Sequence, residues 1–146
     1  DKEGLNAAGL SDLINKQSGV MGLSSISSDM REIEAAIEDG DKKAILTMNV
    51  YNYRIKKYIG AYAAALGGLD LLIFTGGVGE NQWSTRTAVC REMEFMGIKL
   101  DEAKNDHMRG KEMVISTPDS KVTVMVVPTD EELTIAKDTL EILSKE

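Results

Sequence analysis

Cysteine, histidine and aromatic residues are scarce in this chain, and each shortage argues against a class of protein. The 146 residues include one cysteine, Cys90, and one histidine, His107, and 5% of them are aromatic. A single cysteine cannot form a disulfide within the chain, which argues against a disulfide-stapled secreted domain and favours a reducing compartment, here the cytoplasm. A lone histidine with no cysteine or second histidine nearby argues against a histidine metal site.

Long apolar runs and an excess of basic charge are also missing. No run approaches the ~20 apolar residues that a membrane span requires. The charged start at residues 1–3 is not followed by the apolar stretch of a signal peptide. The formal charge is −7, whereas a protein that binds nucleic acid needs a basic stripe. Neither a membrane nor a nucleic acid is therefore an expected partner. The chain also lacks an initiator Met, which fits a piece of a longer protein.

The hydrophobic pattern predicts a single α/β domain over residues 1–146 whose first strands are missing. Helices are predicted over 5–16, 29–38, 42–66, 82–96 and 129–144. Strands are predicted over 69–74, 113–116 and 122–127, and loops over 18–28, 76–81 and 98–112. The end of the long helix, residues 59–66 (IGAYAAAL), is apolar on nearly every side, which predicts that it is buried.

A glycine-rich segment, residues 76–81 (GGVGEN), lies between a predicted buried strand and a predicted helix. This order places backbone N–H groups and a positive helix end at the edge of the sheet where α/β proteins bind ligands. Glycine also lets a phosphate or sugar approach the backbone. The segment fits neither a P-loop nor a dinucleotide fingerprint. A purely structural turn is an equally good interpretation of the spacing.

Two further segments are candidates for binding residues. In residues 27–31 (SSDMR), Asp29 could accept a hydrogen bond from a ribose or base amino group, and Arg31 could stack on a base. The alternative is that Asp29 forms a capping box with Glu32 and Arg31 is solvated. In residues 128–132 (PTDEE), Thr129 and Glu132 have capping-box spacing. That spacing leaves Glu131 free to face Mg²⁺, or simply to favour a helix N-terminus.

Taken together, five segments in order resemble the acetate kinase family. They are SSDMR at 27–31, KKYIGAY at 56–62, FTGGVGEN at 74–81, GIKLD at 97–101 followed by Asn105, and VPTDEEL at 127–133. The departures from the family pattern are Met30 for Phe, Val78 for Ile and Asp130 for Asn. The last of these adds a negative charge beside the expected metal position.

The resemblance implies the C-terminal domain of an actin-like ATPase (ribonuclease H-like) fold, incomplete at its N-terminal side. It implies a homodimeric kinase that uses ATP and Mg²⁺ to phosphorylate acetate, giving acetyl phosphate and ADP. Asp29, Met30 and Arg31 would line the adenosine pocket, and Glu131 would help to hold Mg²⁺. The residues that would wrap the adenosine and its phosphates are Gly77, Val78, Gly79, Glu80 and Asn81.

The transferring residues of the family, and its acetate pocket, are expected upstream of this chain. No catalytic residue is therefore assigned here, and the chain alone is expected to be inactive. Two alternatives stay open. One is a propionate kinase, whose C-terminal motifs are similar. The other is a dimerisation module with little nucleotide affinity, using the apolar helix that ends at Leu66.

Overall fold

Two compact units, residues 1–67 and 68–146, make up the chain. A computed structural model describes residues 4–145, so the charged start at residues 1–3 lies outside the described part. The first unit consists of helices and the second carries a three-stranded sheet flanked by helices. A mixed α/β chain is thereby confirmed. Among the described helices none is long and apolar enough to cross a membrane.

Four helices form the first unit: α1 (Ala7–Lys16), α2 (Gly19–Ser24), α3 (Met30–Glu38) and α4 (Lys42–Leu66). Helices α2 and α3 both pack on α4. Their core consists of Ile33, Ala44 and Met48, with Met30 and Val20 among the side chains packed against it. Hydrophobic burial of this small cluster is what orders the unit.

The bounds predicted for α4 are confirmed because both of its ends are set locally. The Asp41 carboxylate accepts a hydrogen bond of 2.8 Å from the Ala44 N–H, which caps the first turn. At the other end Gly67 has a φ of 79°, a left-handed conformation that glycine adopts without strain.

Three expectations for the first unit are wrong. Residues 18–28 are not all loop, because Gly19–Ser24 forms α2 and Val20 packs into the core. Residues 59–66 are not buried apart from Ala63, and Leu66 is 77% exposed. The Asp29–Glu32 capping box is replaced by a different arrangement. The Asp29 carboxylate accepts from the Arg31 N–H at 2.9 Å, while the Asp29 N–H donates to the Ser27 hydroxyl.

The second unit is built on β1 (Leu71–Phe74), β2 (Met113–Val114) and β3 (Thr123–Val126), in the order β1-β3-β2. Strand β1 runs parallel to β3 with Phe74 beside Val126, whereas β2 is antiparallel to β3. The three predicted strands are thus confirmed, although each is shorter than predicted. The prediction that the first strand is buried holds for Phe74 only, because Leu71 and Ile73 on the other face are exposed.

The helices of this unit are α5 (Gly76–Asn81), α6 (Trp83–Cys90), α7 (Glu102–Asn105) and α8 (Glu131–Leu143), with a 3₁₀ turn at Glu94–Met96. The predicted loop at 76–81 is therefore a helix, and so is part of the predicted loop at 98–112. The predicted helix over 82–96 ends early, at Cys90, because the backbone of Arg91 is extended (ψ 135°), and Glu92 after it is left-handed (φ 58°). Within the described residues none of the α8 side chains is buried.

Candidate functional site

The glycine-rich segment turns directly from strand β1 into helix α5. Thr75 is extended and Gly76 has a φ of 69°, so the chain passes from strand to helix within two residues. A Cβ on Gly79 would lie 3.0 Å from the backbone carbon of Phe74, so this glycine is required by packing against the strand. Gly77 differs. Outside its own helix, no atom of the described residues lies within 4 Å of where its Cβ would be. The missing side chain at Gly77 therefore leaves open space at the surface.

The Glu80 carboxylate joins the start of α5 to the segment that follows β3. Its Oε1 accepts three hydrogen bonds: from the Gly76 N–H at 2.9 Å, the Thr129 N–H at 2.7 Å and the Thr129 hydroxyl at 2.8 Å. These bonds, those from Thr129 first, hold the pKa of Glu80 below its usual value. The residue is only 9% exposed. Glu80 Oε1 thus carries negative charge that three protein donors already engage.

Arg86 holds the other end of α5 and was not anticipated from the sequence. Its guanidinium is fully buried and donates to four uncharged acceptors: the carbonyls of Gly79, Glu80 and Met108, and the side chain of Asn105. The last carbonyls of a helix lack donors within the helix, and at the end of α5 Arg86 is a donor to two of them. Burial lowers the pKa of Arg86, although the group stays cationic.

Asn105 completes this buried network. Its Oδ1 accepts from Arg86 Nε at 2.7 Å, and its Nδ2 donates to the Trp83 carbonyl at 3.0 Å and the Thr87 hydroxyl at 2.9 Å. One sequence signal could have located Arg86. It precedes Val89 and Cys90 by three and four residues, the spacing of residues that share a helix face.

Glu131 opens helix α8 and is exposed to solvent. The N-cap is Asp130, whose carboxylate accepts from the Leu133 N–H at 2.9 Å, so the expected Thr129–Glu132 capping box is wrong. Thr129 instead donates two hydrogen bonds to the Glu80 carboxylate. An open cleft beside Glu131 is lined by Thr129, Asp130, Thr134 and Ile135.

The residues around Glu131 fit only one kind of metal site. Within residues 4–145 there is no group of three or more His, Cys, Asp or Glu side chains that could hold an ion by themselves. Mg²⁺ commonly binds through one or two carboxylates together with substrate phosphates and waters. The donors here therefore suit a Mg²⁺ that arrives with a nucleotide, and they do not suit an ion held by protein alone.

Asp29, Met30 and Arg31 lie in the first unit. The Arg31 guanidinium pairs with the Asp29 carboxylate at 2.6 Å between Nη2 and Oδ2, and this hydrogen bond lowers the pKa of Asp29 to about 2. Met30 is partly buried against the Ile33 core. Asp29 therefore caps α3 and pairs with Arg31, and its role toward a ligand stays a prediction.

The structure brings together the predicted residues of the second unit. Residues 77–81 all lie in α5, and the Glu80–Thr129 bonds place the start of this helix next to the segment that leads into Glu131. The roles of these residues toward nucleotide and metal stay predictions.

Comparisons with known proteins identify relatives along nearly the whole chain. Residues 1–137 match the model of the Acetokinase family. The chain is 74% identical to acetate kinase from Parabacteroides distasonis over 145 residues. A crystal structure of Porphyromonas gingivalis acetate kinase superposes with a TM-score of 0.89 at 67% identity and covers 97% of the chain. A propionate kinase from Francisella tularensis, 33% identical, covers 93% with a TM-score of 0.80.

In each case the chain spans about a third of the relative. It covers 36% of the two acetate kinases and 34% of the propionate kinase.

Proposed function

Because the chain belongs to the acetokinase family, we propose that it supplies the nucleotide and magnesium side of a kinase that transfers the γ-phosphate of ATP to acetate. The observation that carries this proposal is the arrangement in the second unit. Helix α5 exposes a side-chain-free Gly77, and Glu80 ties that helix to the segment of Glu131. A backbone open to approach and a carboxylate suited to a phosphate-bound Mg²⁺ are two parts that a kinase needs.

Each predicted residue receives a role in this proposal. Asp29, Met30 and Arg31 contact the adenosine. The backbone of residues 77–81 lies along the nucleotide, since Glu80 Oε1 already has three donors. Glu131 holds Mg²⁺ or its waters. When bound, Mg²⁺ neutralises charge on the phosphate oxygens.

The rest of the reaction belongs to the whole protein, which we propose to be a cytoplasmic homodimer with the actin-like ATPase (ribonuclease H-like) fold. A carboxylate oxygen of acetate attacks the γ-phosphorus of ATP, the bond to the β-γ bridging oxygen breaks, and acetyl phosphate and ADP result. In this proposal the acetate pocket, and the groups that stabilise the transfer, belong to parts of the protein outside residues 1–146. The chain alone is therefore inactive.

Calorimetry with Mg·ADP tests the binding half of this proposal. The chain should bind ADP with low affinity, and Arg31→Ala should weaken binding whereas Lys16→Ala, an exposed cation in α1, should not. A hydroxamate assay on the same sample should detect no acetyl phosphate. Turnover by the chain alone would refute its proposed inactivity, and an absence of ADP binding would refute the nucleotide role.

Exposed aromatic side chains on α4 favour a second candidate function, a dimerisation module. Tyr58 and Tyr62 stack with ring centroids 6.1 Å apart, and both are exposed together with Leu66 at the helix end. Light scattering, together with the melting temperature measured with and without ADP, would distinguish the candidates. A dimer whose melting temperature does not respond to ADP supports the module, and an ADP-dependent rise supports nucleotide binding.

Replacing acetate with propionate in assays of the full-length enzyme tests the propionate kinase alternative.

A further inference from the structure

We propose that Glu80 is a positioning residue that, through Thr129, fixes Glu131 relative to helix α5. This inference rests on the proposed function, because it assigns Glu80 to the geometry between the nucleotide segment and the metal carboxylate. It differs from the role that the family resemblance implies, in which Glu80 itself wraps the nucleotide.

The first step is the direction of the Glu80 side chain. Its Oε1 accepts one hydrogen bond from the Gly76 N–H inside its own helix and two from Thr129, which is 49 residues away in sequence. Hydrogen bonds to an ionised carboxylate are about twice as strong as those between neutral groups. A single oxygen therefore connects α5 to the Thr129 segment by two charge-assisted bonds.

The second step is how little else holds Glu131 within its own unit. The last backbone bond from this segment to the sheet is the Val127 N–H to the Phe74 carbonyl, at 3.0 Å. Beyond it, none of the described α8 side chains is buried, so packing anchors that helix weakly. The chain between Val127 and Glu131 is therefore held mainly at Thr129, by Glu80.

The third step is that α5 itself is well fixed. Arg86 donates to the carbonyls of Gly79 and Glu80, and the Gly110 N–H donates to the Glu80 carbonyl at 3.1 Å. Glu80 is thus a rigid reference point, and Thr129 is the residue that it places. Loosening the Glu80–Thr129 bonds should move Glu131 and leave α5 in position.

The test uses the full-length protein and Thr129→Val, which removes the hydroxyl donor but keeps the shape and the N–H. Calorimetry measures ADP affinity with and without Mg²⁺. We expect affinity for ADP alone to stay within about twofold. The gain in affinity on adding Mg²⁺ should fall by roughly three- to tenfold, the effect of one hydrogen bond of ordinary net strength. Thr129→Ser, which restores the hydroxyl, should recover the gain.

A matched control is Thr139→Val on α8. It makes the same substitution, but the hydroxyl removed donates to the Ile135 carbonyl of its own helix, at 2.7 Å, and not to Glu80. It should leave both affinities unchanged. Glu80→Gln is the second variant, and keeps the proposal testable if Thr129→Val does not fold. It preserves the side-chain shape and removes the charge from the three bonds, so it should also reduce the Mg²⁺-dependent gain.

The outcomes separate this inference from the function on which it rests. If the wild-type protein binds no ADP, the proposed function fails and the positioning role fails with it. If the wild type binds Mg·ADP and Thr129→Val keeps the full gain from Mg²⁺, only the positioning role is overturned. A loss of affinity for ADP alone in Glu80→Gln, equal to the loss for Mg·ADP, would also overturn it, because that pattern indicates a direct nucleotide contact.

Discussion

Arg86 places a cation in the interior of the second unit and surrounds it with neutral acceptors. Such a group is tolerated because the carbonyls of Gly79 and Met108 gain a donor from it, while the Glu80 carbonyl accepts from both Arg86 and the Gly110 N–H. The C-terminal end of α5 is thereby completed by a side chain from the next helix. The same guanidinium also reaches Met108 and Asn105, so one residue organises three segments of chain.

Replacing Arg86 with Met should destabilise the chain by about 3–5 kcal/mol, because the Gly79 and Met108 carbonyls and the Asn105 side chain lose the donor that Arg86 gives them. Urea unfolding followed by circular dichroism measures the loss. Arg54→Met is the control. Arg54 is exposed and its guanidinium donates to the Tyr58 hydroxyl at 3.2 Å, so its loss should cost less than about 1 kcal/mol. Equal effects of the two changes would contradict the structural role of Arg86.

The Asp29–Arg31 pair makes the stability of the first unit depend on pH. The pKa of Asp29 is lowered to about 2 in the folded chain, against about 3.9 when unfolded. A depressed carboxyl pKa contributes stability above the unfolded pKa, and this contribution is lost as the pH falls through the folded value. Asp29→Asn keeps the helix cap but not the charge. Its melting temperature should lie below that of the wild type near pH 6, and the gap should close between about pH 4 and 2. A constant gap would show that the ion pair adds nothing.

At the scale of elements, helix α5 shows two glycines with different reasons for lacking a side chain. Gly79 packs on the end of β1, whereas Gly77 faces open space. The helix can therefore be probed by the same substitution at two positions two residues apart.

Gly79→Ala should destabilise the chain by about 1–3 kcal/mol, because its Cβ would meet the Phe74 backbone at 3.0 Å. Gly77→Ala should leave stability unchanged or raise it by up to ~1 kcal/mol, the difference in helix propensity between the two residues. If a nucleotide lies against α5, Gly77→Ala should nevertheless weaken ADP binding. Thermal unfolding and calorimetry on both variants check these outcomes. A stable Gly77→Ala variant with unchanged ADP affinity would remove Gly77 from the site.

Local signals explain which elements could be predicted from the sequence. The bounds of α4 follow from Asp41 and Gly67, which act on their own helix, and the strands follow from apolar alternation next to turn residues. Helices α2 and α5 were missed because glycine and serine disfavour helix locally, and it is packing of Val20 and the bonds of Glu80 and Arg86 that override this preference.

The same limit applies to the candidate site. Residues 76–81 were recognised as special from their composition and position after a strand. The hydrogen-bond partners of Glu80 and Arg86 could not be predicted in this way. Thr129 lies 49 residues from Glu80 in sequence, and Met108 lies 22 residues from Arg86. The spacing of residues within one segment carries no information on such distant contacts. It therefore predicts Thr129 as the N-cap of α8, whereas Asp130 is the residue that caps this helix.

At the scale of the whole molecule, the free energy of local opening should differ between parts of the chain. The central strand β3 is buried at Val124 and Val126, whereas none of the described α8 side chains is buried. Helices held by little packing open with small free energies. In hydrogen exchange followed by mass spectrometry, amides of α8 should exchange well before those of β3. In the full-length protein α8 should become protected if the additional chain covers its apolar residues. Strong protection of α8 in the 146-residue chain would contradict this prediction.

The Glu80–Thr129 contact also sets an order of events during synthesis. Helix α5 leaves the ribosome 49 residues before its partner Thr129. At translation rates of about 5–20 residues per second, roughly 2–10 s pass before the carboxylate can meet its two distant donors. During that interval the glycine segment has left the ribosome but is not yet tied to the Glu131 segment. A nascent chain stalled before Thr129 would therefore carry the nucleotide segment without its metal-side neighbour, and it should lack the gain in ADP affinity that Mg²⁺ gives the finished chain.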